Sequence, residues 1–68
     1  MQHLRSYVGQ ARVEIHSARA QLDLLLANTP HDSNAWAPTR AAAITAQRRL
    51  DEAMSHVQTI AGWLPNEP

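Results

Sequence analysis

The apolar positions of this chain fall into two rows, and each row keeps the rhythm of a helix. Leu4, Val8, Ala11, Ile15, Ala18, Leu22 and Leu25 alternate steps of four and three. Ala43, Ala46, Leu50, Ala53, Val57, Ile60 and Leu64 alternate steps of three and four. That spacing keeps one stripe of a helix apolar along its whole length. Between the rows lies NTPHDSN, a cluster of turn formers, with Pro38 close behind it. The pattern predicts a first helix over about 3–27, a loop over about 28–36, a second helix over about 37–63 and a short frayed tail at 65–68. Ser33 or Asn34 can cap the second helix with Pro38 in its first turn; alternatively Pro38 is the first helical residue. Gly62 and Pro65 are the expected stop.

Two helices of similar length joined by a short loop fold back on one another. The expected fold class is therefore all-α, an antiparallel two-helix hairpin with alanine-rich coiled-coil packing. One register, in which facing residue numbers sum to 68, sets alanine against a large aliphatic residue in five successive layers. These are Ala11 with Val57, Ile15 with Ala53, Ala18 with Leu50, Leu22 with Ala46, and Leu25 with Ala43. Large-against-small layers fill space without voids and let the helices approach closely. The alanines are thus read as selectors of register and distance. The same register puts Tyr7 near Trp63 and Glu14 near His56.

A second row complicates this picture. Val13, Ser17, Ala20, Leu24 and Ala27 also step by four and three, on the side of the first helix that its hairpin partner cannot reach. A helix with apolar stripes on two sides has neighbours on two sides. The chain has 68 residues and no cysteine, so a disulfide cannot compensate for a small core. The economical neighbour is a second copy. Homodimerisation into a four-helix bundle is expected, with those five residues as the self-association face.

Composition then narrows the function. Six Arg balance six Asp and Glu, Lys is absent, and twelve Ala accompany no Phe. This usage fits codon bias in a GC-rich genome of the actinobacterial or phage type. Neutrality argues against the strongly basic footprint of a nucleic-acid-binding domain. One feature keeps that class open as the alternative. Arg5, Arg12 and Arg19 lie seven apart and form a row beside the main seam, and their expected neighbours, Ala61, Met54 and Gln47, are not acidic. Such a row can track phosphates, or it can lay aliphatic stems along the edge of a core. Only Arg19 has an acid at helical spacing, Asp23; Arg48 and Glu52 form the matching pair on the second helix.

Catalytic chemistry is not expected. His3, His16, His31 and His56 show no metal-binding spacing. The serines lack a nucleophile context, and no glycine-rich phosphate loop is present. Asp51 and Glu52 are adjacent and so point in different directions on a helix. No catalytic, cofactor or metal site is assigned. The N-terminal stretch does not read as a signal peptide, and no apolar run is long enough for a membrane span. A cytoplasmic location follows as the expectation. The partners expected are a second copy and a further, unidentified protein.

Three resemblances bear on this reading. A hairpin of this size pairing into a four-helix bundle resembles plasmid copy-number proteins of the Rop type, which bind RNA on one face. That resemblance is of architecture, without a shared motif. Trp36-Ala37-Pro38 in the turn resembles the WXG-type secreted proteins, but the glycine is missing. LRSYV at 4–8 resembles the opening helix of some polyketide synthase docking segments. None of them assigns a family.

Overall fold

A computed structural model describes residues 4–65 of the chain. Helix α1 spans Leu4–Asn28 and helix α2 spans Ala37–Trp63, with a short 3-10 turn over Asn34–Trp36 leading into α2. The helices pack antiparallel: Arg5 reaches the carbonyl of Leu64, and Arg19 reaches that of Gln47. The result is a hairpin measuring 56 × 16 × 13 Å. His3, at the expected start of the first helix, and residues 66–68 of the expected tail lie outside the described residues.

Side chains end α1 without a glycine. Asn28 Nδ2 donates to the Leu24 carbonyl at 2.7 Å, and Thr29 Oγ1 donates to that of Leu25 at 2.6 Å. The Thr29 amide donates to the Leu26 carbonyl. Two of the last four carbonyls, those of Leu25 and Leu26, are thereby satisfied, and that of Leu24 gains a second donor. The entry to α2 combines the two alternatives that the sequence left open. Ser33 is extended and its hydroxyl accepts from the Ala35 amide, so it caps the 3-10 turn. Pro38 then falls within the first turn of α2, where it forfeits no hydrogen bond. Arg40 ties that turn back to the loop by donating to the Pro30 carbonyl. Ser33→Ala is expected to lower stability by about 1 kcal/mol, read as a lower thermal midpoint, with Ser33→Asp restoring most of it.

The exit from α2 corrects one expectation. The helix continues through Gly62 to Trp63, and no glycine has a positive φ. Leu64 is extended, with φ −71° and ψ 136°, because the Pro65 ring disfavours helical geometry in the residue before it. Proline, not glycine, stops this helix.

The core is thin. Ala43, at 4 % exposure, is the one buried apolar residue among those described, and no described residue of α1 is buried. Val8, Ala11, Ile15, Ala18 and Leu22 on α1 are half-buried, as are Ala46, Leu50, Ala53 and Val57 on α2 and Leu64 just beyond it. They follow the expected seam. Its ends do not. Leu25 and Ile60 remain 45 % and 43 % exposed, while their neighbours Leu26 and Ala61 turn inward. Leu4 is exposed as well. A helix with 3.6 residues per turn drifts about 20° per heptad away from a strict seven-residue repeat. Over three heptads the inward stripe moves to the next residue. The expected aromatic pair at the open end is not a buried anchor, because Trp63 is 76 % exposed and Tyr7 more than half.

Candidate interaction surface

The arginine row lies along one edge of the hairpin, and most of it is engaged. Arg19 donates to the Gln47 carbonyl at 3.1 Å, the neighbour that the register assigns to it. It also pairs with Asp23 at 3.2 Å and with Asp51 at 2.7 Å. Asp51 corrects the expectation of acid-free surroundings. It sits one turn beyond Gln47, within reach of a side chain as long as arginine. The hydrogen bond that Arg19 donates to Asp51 raises the Arg19 pKa above its ordinary value, against a smaller desolvation effect. Gln47 Nε2 donates to Asp23 at 2.6 Å and closes a four-residue network across the two helices. Arg5 donates to the carbonyls of Leu64 and Pro65 and so ties the end of α2 to the start of α1. These two arginines act as straps between helices, with their stems along the seam edge. Arg12 forms no hydrogen bond or ion pair among the described residues. Arg48 and Glu52, expected to pair, are both exposed and form no ion pair among the described residues.

Arg12 instead borders a groove. Val13, Ser17, Ala20 and the α2 residue Met54 line an open, mainly apolar depression of about 550 Å³. Arg12, His16 and Gln58 form its polar rim. Met54 is the neighbour that the register assigns to Arg12. A smaller space of about 340 Å³ opens beside it between Ile15, Leu50 and Met54, under the Arg19–Asp51 pair. The interhelix packing is therefore incomplete along the very edge that the groove occupies.

All five residues of the second seam are solvent-exposed in the single chain. Val13 and Leu24, its two large members, are 63 % and 64 % exposed. Val13, Ser17 and Ala20 belong to the groove; Leu24 and Ala27 continue the same face toward the loop without lining it. The sequence pattern missed Gln58 and the extent of Met54's involvement. Met54 lies outside the α2 seam, and only its place opposite Arg12 could have linked it to the α1 face.

His31 and His56 are exposed and do not line this groove. Among the described residues no group of three or more His, Asp or Glu is placed to hold a metal ion. No helix among them is long and apolar enough to cross a membrane. Comparison with protein-family models, with curated proteins and with solved structures returns no match to this chain.

Proposed function

We propose that this chain is a small non-enzymatic interaction or scaffold module that works through self-association and protein binding. The observation that carries this reading is the exposure of its large apolar side chains. Folding into the hairpin leaves Val13, Leu24, Ile44 and Trp36 substantially in water, and no large side chain among the described residues is fully buried. Neither helix has an acidic residue in its first turn or a basic one in its last, so charge–dipole stabilisation does not replace the missing core. A hairpin with so little buried apolar area is marginal alone. Covering the α1 face against another helix adds the missing burial and gives the module its binding surface.

The nucleic-acid alternative is weaker. Arg19 would have to leave Asp23 and Asp51 to meet a phosphate, and Arg5 already spends donors on the end of α2. Arg12 is the one member of the row without a partner among the described residues, too little for the row of phosphate contacts that gives such binding its affinity.

Sedimentation equilibrium and far-ultraviolet circular dichroism across a dilution series test the reading. Mass and helicity are expected to fall together on dilution, since a partner that binds only the folded chain stabilises it in proportion to its concentration. A chain that stays monomeric and fully helical at every concentration would overturn the self-association reading. Association that weakens steeply with salt, and only in the presence of RNA or DNA, would favour the alternative.

A further inference from the structure

We infer that the exposed face of α1 is covered by α1 of a second copy running antiparallel, with the two-fold axis passing between Ser17 and Ala20. This rests on the self-association reading and specifies the partner's segment, direction and register.

The size pattern supplies the register. Val13, Ser17, Ala20 and Leu24 run large, small, small, large. Turned end for end about the midpoint of Ser17 and Ala20, the row maps onto itself. Val13 then meets Leu24 of the partner subunit, and Ser17 meets Ala20 of the partner subunit. The small pair at the centre lets the two backbones approach, and the large pairs close the interface on either side. A two-fold contact has this property by necessity: residue i meets j, and j meets i.

The side chains that flank the row supply the direction. His16 and Asp23 both flank this row on the side that carries Arg19 and Met54. In an antiparallel pair, flanking positions of this kind meet each other, so His16 comes beside Asp23 of the partner subunit, twice per dimer. In a parallel pair the same residues would face Gln21 and Asn28, and the Asp23 carboxylate would have no imidazole beside it. Asp23 can accept from a further donor while keeping Arg19 and Gln47, because a carboxylate offers about four lone-pair sites. The chain's formal net charge is zero, so two copies meet without overall repulsion.

The exposed area is of the right size. The chain exposes 5343 Å². A compact monomer of its mass, 7.6 kDa, exposes about 4,300 Å². The excess, about 1,000 Å², is comparable to the roughly 800 Å² that each partner buries in a stable interface. The groove places Met54 beside Val13 and Ala20, so a helix laid on this face also covers part of α2.

Cysteine cross-linking tests the inference against a background free of native thiols. Val13→Cys and Leu24→Cys are prepared as separate chains, shown to sediment as dimers, and oxidised alone and after mixing. Neither variant alone is expected to form a covalent dimer, because each cysteine lies about 16 Å along the axis from its own copy in the partner. The equimolar mixture is expected to link up to about half of its dimers, the share holding one chain of each kind. Gln10→Cys with Ala27→Cys, the next layer outward, repeats the test without removing either large apolar residue. Cross-linking of each variant with itself would mean a parallel pair and overturn the inference, as would dimers that link in no combination. In both cases the self-association reading survives. A wild-type chain that sediments as a monomer throughout removes both.

Discussion

Leu24→Glu is expected to abolish association and helicity together. In the isolated hairpin Leu24 is 64 % exposed, so a glutamate there would be harmless if the monomer were the functional fold. Glutamate is also nearly as good a helix former as leucine. The substitution therefore reads the neighbour and not the helix. Against an apolar partner face, each dimer would bury two carboxylates without a counter-charge. Leaving a charge buried and unpaired costs about 3–5 kcal/mol per site. Small domains hold only about 0.05–0.15 kcal/mol of stability per residue, so a loss of that size removes most of what a chain this short possesses. Since the hairpin alone is marginal, dissociation and unfolding should be seen as one transition. Ala41→Glu, on the exposed side of α2, is the control and is expected to behave as wild type. Sedimentation equilibrium gives the mass and circular dichroism the helicity. A Leu24→Glu chain that dimerises normally would move the interface elsewhere on the molecule.

The seam was legible because it repeats. Fourteen positions share one spacing, and between Val8 and Val57 most of them face inward as that spacing requires. Its ends were not legible in the same way. A strict heptad and a straight helix part company by a fraction of a residue per turn, and the difference at Leu25 and Ile60 emerges only in three dimensions. The end of α2 shows a second limit. Gly62 and Pro65 are both punctuators in the sequence, but only the proline forbids helical geometry, and it acts on Leu64. The arginine row was visible as a row, while the partners of its members were not. Arg19 found Asp51 because a long side chain reaches a full turn along the opposite helix. Linear spacing within one helix carries no record of that reach. The groove is the same case: Val13, Ser17 and Ala20 announce themselves by period, whereas Met54 and Gln58 join them only through the packing of α2.

The alanines of the seam can be tested where the packing is tightest. Ala43 is 4 % exposed, at the end of the hairpin where the buried Thr29 closes α1. Its register partner is Leu25, but the drift of the seam brings Leu26 inward at that level. Ala43→Leu adds three carbons at a position with almost no exposed surface, one turn along from Arg40, which holds the loop through the Pro30 carbonyl. Overpacking of this kind costs about 1–3 kcal/mol. For a domain of this size each kcal/mol moves the thermal midpoint by about 4–8 °C. Ala41→Leu makes the same chemical change two residues earlier, on the exposed side, at almost no cost in helix propensity. The midpoints must be compared at one protein concentration, since association contributes to both. The Ala43 variant is expected to melt well below the Ala41 variant, with Ala18→Leu, at a half-buried position, between them. Melting of Ala43→Leu and Ala41→Leu at the same temperature would mean that the alanines do not set the distance between the helices. Small size at Ala43 would then reflect composition alone, and the large-against-small layering would lose its role in choosing the register.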